Sequence, residues 1–445
     1  MDADEYLATL AERRWRKLPR QIAYCFEKSS YYRARFQAAG IGDPRDVDSF
    51  DTFRALPVLM DKAAHRQSQE ASLVEQGHPF GMHLCAALDT VIHVAATSGT
   101  TGEPTFYTFT RKDLAITQTV FARLFAKAGI RPGDTVLHAF GLSLWLAGVT
   151  IVQALEAYGA RPVAVGAEAG VAKILRTARL VRPRVLMGTP SLVGRLIERA
   201  PQELGCDVAA LGIEVIFCAG EPGLTIASVR ERIRAAYGAQ VFDATGGAWH
   251  NGTVSCDAPD HHGMHYLAED YCFRYDLVDP VTRRPVPLRD GALGEAIHTA
   301  LEYEAGPAMR SATGDMVEIR VGECPGCGEF GTRMNIVGRT DDVMNVKGVK
   351  IYPEAIRTVV AEFSPDVSGQ VQIVLPAPPP RVEPPVPVRV ELAQTAAGVD
   401  TAALASRIEA RVRETLAVRV RVETVPFGSL ERSNLKTKLL LVKPD

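Results

Sequence analysis

The run RPRVLMGTPSLVGRLIERAPQELGCDVAALGIEVIFCAGEP, residues 182–222, carries the pattern that decides the fold. Val185, Leu186 and Met187 form a short apolar run suited to a buried strand, residues 190–199 have helical periodicity, and 215–219 is a second apolar run. The alternation continues outward on both sides. Upstream stand a strand at 135–140, a helix over 144–158, a strand at 161–165 and a helix over 171–181; downstream come a helix over 225–237 and a strand at 240–242. Repeated β-α-β units imply a parallel sheet with helices on both faces. In such sheets ligands sit beyond the carboxyl ends of the strands. Gly220-Glu221-Pro222 and Thr245-Gly246-Gly247 leave two of those ends.

A third glycine loop lies further upstream. TSGTTGEPT, residues 97–105, has five hydroxyls and two glycines in nine residues, between apolar runs at 91–96 and 106–110. Such a turn leaves backbone N–H groups free to wrap an anion, and glycine permits the close approach. A Walker A loop is excluded, because Gly102 is followed by Glu-Pro-Thr rather than Lys-Ser/Thr.

The chain has 445 residues, more than one hydrophobic core usually serves. At 47% apolar, 23% charged and net charge −2, it has ordinary globular composition and no nucleic-acid footprint. No window has the length of apolar sequence a membrane span needs, and the acidic start MDADEYLATLAERRWRK has no apolar signal core, so the expectation is a cytoplasmic enzyme. Residues 5–75 read as helical. From 264 to 335 the pattern turns to short strands, a small β subdomain by expectation. After Asp341 about a hundred residues read β-β-α-β-β-α-β, with PAPPPRVEPPVP at 376–387 as a loop.

Eight cysteines in a chain of this kind do not suggest a disulfide framework. Two segments concentrate metal-binding groups. SCDAPDHHGMH, residues 255–265, holds Cys256, His261, His262 and His265; ECPGCGEF, residues 323–330, holds Cys324 and Cys327 in a C-x-x-C. A closed structural zinc site takes four N/S ligands. Cys256, His262, Cys324 and Cys327 complete a Cys₃His set, with His261 or His265 as alternatives to His262.

Several separated motifs together resemble one family. TSGTTGEPT is similar to the phosphate loop of the adenylate-forming enzymes, the acyl-CoA synthetases and their relatives. HPFGMHL (78–84), AGEP (219–222), RSATGD (310–315), GRTDDVMNVKGVKIYP (338–353) and LERSNLKTK (430–438) follow in the order of the phenylacetate–CoA ligase branch. The resemblance spans nearly the whole chain. It implies an α/β fold with a large N-terminal AMP-binding domain over 1–340, built of parallel sheets flanked by helices. Within it sits the β subdomain, about 253–335, with a zinc site that some members of this branch carry. A small mobile α+β C-terminal domain would occupy 341–445.

The resemblance also assigns roles. Thr97, Ser98, Gly99, Thr100, Thr101 and Gly102 would hold the ATP phosphates. Gly220, Glu221 and Pro222, with Asp243, Ala244, Thr245 and Gly246, would border adenine. Asp315, read as a turn residue after a glycine, would accept the ribose hydroxyls. Arg339 would lie near ribose and phosphates, Asp341 would be the hinge, and Lys436 would reach the α-phosphate and the acyl carboxylate, with Lys438 as the alternative. Thr101, Arg339 and Lys436 are the catalytic candidates. Phe140, Gly141, Trp145, Gly247, Trp249 and His250 would wall the acyl pocket.

One departure stands out. The family's Tyr-Gly-x-Ser/Thr-Glu becomes Thr245-Gly246-Gly247-Ala248-Trp249 here, so the glutamate that helps hold Mg²⁺ is missing. Asp243 is the nearest replacement. The resemblance implies a ligase that uses ATP and Mg²⁺ to adenylate a small, aromatic carboxylic acid and passes the acyl group to CoA. Structural Zn²⁺ and a homodimer are further implications. The alternatives are an amine, hydroxyl or carrier-protein acceptor, nucleotidyl transfer to a deazaflavin, and a degenerate nucleotide-binding member.

Overall fold

The computed structural model describes residues 2–97, 104–245, 252–396, 398–430 and 439–443. The N-terminal stretch folds as α1 (Ala3–Trp15), α2 (Leu18–Lys28), α3 (Ser30–Ala38), α4 (Phe50–Ala55) and α5 (Lys62–Gln76). The periodic stretch at 20–33 is two helices rather than one. Ser29 leaves the helical region and its hydroxyl accepts the Tyr32 N–H, capping α3. α5 starts on Asp61, whose side chain accepts the Ala64 N–H, and its buried residues are His65, Ser68, Gln69 and Ser72, all polar.

β1 (His93–Thr97) and β2 (Thr105–Phe109) form an antiparallel hairpin whose last pair is Thr97 with Thr105. Then follow α6 (Arg111–Lys127), β3 (Thr135–His138), α7 (Val149–Tyr158), β4 (Arg161–Ala164), α8 (Val171–Val181), β5 (Val185–Gly188), α9 (Pro190–Leu204), β6 (Val215–Ala219), α10 (Ala227–Tyr237) and β7 (Gln240–Thr245). The strands pair in parallel in the order β4-β3-β5-β6-β7. β5 and β6 are buried along their whole length, as strands covered on both faces must be. Ile174, Leu192 and Ile233 pack one face, Leu124, Phe125 and Leu155 the other. The helix expected over 144–158 begins only at Val149. The five residues before it are tied elsewhere: Trp145 bridges to Ala96, and the Ala96 N–H donates to the Leu144 carbonyl at 2.6 Å.

The sheet does not stop at β7. β8 (Thr253–Ser255), β9 (Met264–Tyr266), β10 (Cys272–Val278), β11 (Pro285–Val286), β12 (Leu293–Ala300), β13 (Ser311–Glu323) and β14 (Phe330–Arg339) continue it. Ala244 pairs with Val254 antiparallel, and the remaining pairings are antiparallel too, giving a 12-stranded mixed sheet among the described residues. The segment expected as a small β subdomain is hydrogen-bonded into the main sheet.

The last part comprises β15 (Met344–Val346), β16 (Val349–Ile351), α11 (Pro353–Ala361), β17 (Val367–Leu375), β18 (Arg381–Val382), β19 (Val386–Leu392), α12 (Thr401–Leu416), β20 (Val420–Val425) and β21 (Leu440–Val442). Met344, Ile356, Val360, Ile373, Val388, Ile408 and Val412 are among its own core residues. The proline-rich stretch is not all loop, since it contains β18, which pairs with β15, and opens β19. Two bonds tie α11 to the loop after β6 and to α10. Arg357 donates to the Pro222 carbonyl, and the Ser228 hydroxyl donates to the Ala361 carbonyl at 3.4 Å. Among the described residues no helix is long and apolar enough to cross a membrane.

Candidate nucleotide and acyl site

Trp145 links the β1 hairpin to the loop after β6, bridging to Ala96 and lying against Gly220. Thr97 and Thr105 fix the two ends of the hydroxyl-rich loop; Ser98, Gly99, Thr100, Thr101 and Gly102 lie outside the described residues. Helix α5 holds the loop's exit. Gln69 Oε1 accepts the Phe106 N–H at 3.0 Å, and its Nε2 donates to the Pro104 carbonyl at 3.4 Å. Tyr107, hydrogen-bonded to Thr97, is pushed up to about 12 by burial.

The second loop follows β6. Gly220 takes φ +96°, a conformation suited to glycine, and a Cβ there would lie 2.8 Å from Cη2 of Trp145. Trp145 is also edge-on to Phe140, with ring centroids 5.6 Å apart. The indole therefore fills the space between the ends of β1, β3 and β6. Glu221 has a structural duty: its Oε1 accepts the Ser191 N–H at 2.7 Å, at the N-terminus of α9.

Asp315 and Arg339 come together across β13 and β14. They are Cα partners in the ladder, and Arg339 Nη1 donates to Asp315 Oδ1 at 2.7 Å. Asp315 is thus a strand residue, not a turn residue. Its predecessor Gly314 takes φ +76°, and a Cβ there would sit 2.6 Å from Arg339 Nη2. The same guanidinium reaches the expected hinge, with Nε donating to Asp341 Oδ1 at 2.9 Å. Burial and the neighbouring Asp341 charge push the Asp342 carboxyl up, while burial pushes the Lys62 ammonium down. Asp315, Arg339 and Asp341 form one ion-paired chain.

Asp243 is turned to a different partner. His261 Nε2 lies 3.3 Å from its Oδ2, and both side chains are buried. The Asp243 N–H donates to Ser255 Oγ at 2.9 Å. Ala244 and Thr245 complete β7. Gly246, Gly247, Trp249, His250 and Lys436 lie outside the described residues.

Residues 348–442 match the model of the AMP-binding enzyme C-terminal domain. A phenylacetate–coenzyme A ligase from Thermus thermophilus is 29% identical over 96% of this chain and 94% of its own. The structure of a 2-hydroxyisobutyryl-CoA ligase in the postadenylation state, with 2-HIB-AMP, superposes with TM-score 0.86 at 29% identity, over 100% of this chain and 90% of that one. In sequence and in fold the chain is similar to the adenylate-forming enzymes, and to the phenylacetate–CoA ligases among them. The same neighbour in its thioesterification state superposes at TM-score 0.68, with 28% identity, over 100% of this chain and 91% of that one.

The chain also carries the metal-binding groups expected from sequence, with one change. Cys256, Cys324, Cys327 and His265, not His262, bring their donor atoms within 4.8 Å of one another. Strand parity explains the exchange. In β9 Tyr266 packs into the core below the sheet, so His265 points to the opposite side, whereas His262 precedes the strand. Cys256 and Cys324 Sγ are 3.9 Å apart, and Cys327 Sγ is 3.4 Å from His265 Nε2. A tetrahedral zinc with ordinary bond lengths needs about 3.8 Å between sulfurs and about 3.6 Å between sulfur and nitrogen. The donor set fits. Glu329 Oε2 stands 3.3 Å from His265 Nδ1, the position of a carboxylate that orients a ligating imidazole, and Lys127 bonds Glu329 in turn.

Sequence reading did not single out α5, Arg357, Glu329 or Lys127. The signal for α5 was present. KAAHRQSQEAS, residues 62–72, is helical yet has no apolar stripe to bury.

Proposed function

We propose that the chain is an ATP-dependent acid–CoA ligase acting on a compact carboxylic acid. The observation that carries this reading is the ion-paired chain Asp315–Arg339–Asp341, which sets a ribose-binding carboxylate beside a phosphate-facing guanidinium at the start of the C-terminal part. In the first half-reaction a carboxylate oxygen attacks the α-phosphorus and the bond to pyrophosphate breaks. In the second, the CoA sulfur attacks the acyl carbon and AMP leaves with the former carboxylate oxygen. Asp315 is the ribose ligand, the Gly220–Glu221–Pro222 backbone borders adenine, and Arg339 serves the phosphates. Thr97, Ser98, Gly99, Thr100, Thr101 and Gly102 are the phosphate loop, and Lys436 the adenylation lysine. Rotation about Asp341 would exchange the two half-reactions, as domain motions do in other enzymes. The higher TM-score to the postadenylation neighbour supports reading the present arrangement as the adenylating one.

For Mg²⁺, Asp243 is a poor substitute for the missing glutamate, because its carboxylate is buried and faces His261 Nε2 at 3.3 Å. No step is derived through that ion. For zinc, Cys256, His265, Cys324 and Cys327 would hold a structural ion that staples β9 to the turn before β14; it has no part in the chemistry.

The size of the acid follows from Trp145. Its indole lies against Gly220 and Phe140 and narrows the space beside the loop after β6. The proposed substrate is accordingly a compact acid, with short acids favoured over aryl ones. The test is thioester formation, read by mass spectrometry, across short branched and aryl acids. Products from the short branched acids, with aryl acids gained in Trp145→Ala, support the reading; aryl acids preferred by the unaltered chain refute the size argument.

A further inference from the structure

Helix α5 presents Lys62, Arg66 and Gln69 at i, i+4 and i+7, on one side of the helix. Gln69 brackets Thr105 between its two bonds to Pro104 and Phe106, and the Thr105 hydroxyl is buried with no hydrogen-bond partner among the described residues. About one turn along, Arg66 has Nε and Nη2 buried, also with no partner among the described residues. Those two nitrogens form the side-on edge of the guanidinium, which can hold two oxygens of one anion. Buried guanidinium nitrogens left without acceptors are costly, so the position makes sense if an anion arrives with a ligand. Of the nearby acids, Asp315 and Asp341 are bonded to Arg339. Arg66 is within electrostatic reach of Lys62 and of Tyr107, which bonds Thr97 at the loop's start, and Arg339 reaches the same two residues. Lys62, Arg66 and Arg339 thus stand within electrostatic reach of one another near the hairpin that carries Thr97 and Thr105.

We propose that Arg66 is a binding residue for the β- and γ-phosphates of ATP, taking two non-bridging oxygens on its Nε–Nη2 edge. This rests on the adenylating reading above. As the carboxylate oxygen bonds to the α-phosphorus, the bond from that phosphorus to the αβ-bridging oxygen breaks. Its electron pair leaves on pyrophosphate, whose growing charge the guanidinium stabilises, and no proton moves.

The test needs neither the acid nor CoA. Calorimetric affinities for ATP and for AMP are compared in the full-length chain, Arg66→Ala and Arg66→Lys. The unaltered chain should prefer ATP. Arg66→Ala should weaken ATP about 10- to 100-fold and leave AMP within about twofold, as loss of a charged bidentate contact predicts. Arg66→Lys, which keeps the charge without the two-nitrogen edge, should fall between. An undiminished preference for ATP in Arg66→Ala, or equal loss of ATP and AMP, overturns the inference, the second marking a structural prop. If Arg66→Ala fails to fold, Arg66→Lys decides, and full ATP affinity there overturns the two-oxygen contact. An unaltered chain that binds neither nucleotide defeats the adenylating reading as well.

Discussion

Arg339 links what the site has to coordinate, and its neighbours show how little room there is. Gly314 sits at positive φ with Arg339 Nη2 where a Cβ would go. Gly314→Ala should therefore cost about 1 kcal/mol of backbone strain and also displace the guanidinium. Its expected signature is a fall in pyrophosphate release of about tenfold or more with only a small drop in Tm. An active Gly314→Ala enzyme would show that the Asp315–Arg339 geometry is not needed. Asp315→Asn should weaken ATP and AMP alike, because both carry the ribose, in contrast to Arg66→Ala; calorimetry with the two nucleotides reads the difference. At this scale the motifs made Asp315, Arg339 and Gly220 legible. Arg66 was not, because its meaning comes from two buried nitrogens that have no bonding partner among the described residues. Trp145 was legible as an aromatic near the pocket, but its placement against Gly220 depends on the glycine at a different strand end.

At the scale of the element, β9 decides which histidine can bind metal. Metal analysis of purified protein should find about one zinc per chain, lost in His265→Ala and Cys324→Ser and kept in His262→Ala. Zinc retained in His265→Ala, or none in the unaltered chain, would contradict the assignment. Both cysteine segments and the idea of a four-ligand set could be read from sequence. The choice among His261, His262 and His265 could not, since it depends on where a three-residue strand begins. The helix expected from residue 144 failed for a related reason. Local periodicity continues through residues 144–148, but a tertiary bridge from Trp145 to Ala96 captures the backbone first.

For the whole molecule, the alternation of strands and helices over 135–242 was enough to specify the parallel half of the sheet. It could not reveal that the later strands extend the same sheet. That depends on Ala244 pairing with Val254 across residues 246–251, a contact without local signature. The buried interior also predicts a response to acid. Burial pushes His65 and His138 down to about 4 from 6.5. Between those values the unfolded chain holds more protons than the folded one. The stabilisation is complete above about pH 6.5 and is lost as pH falls towards about 4, by at most about 3 kcal/mol per histidine. Tm should be level near neutrality and decline through that window, and His138→Gln should shallow the decline. A level Tm down to about pH 4 would mean that these rings are not buried as neutral species.

The central claim is that a carboxylate oxygen becomes bonded to the α-phosphorus of ATP. It is tested most directly by incubating the enzyme with ATP, CoA and a short branched acid whose carboxylate carries ¹⁸O, and weighing the nucleotide product. Adenylation followed by thiol attack predicts AMP with one labelled oxygen, together with pyrophosphate and an acyl-CoA. ADP, or AMP without label, would contradict it.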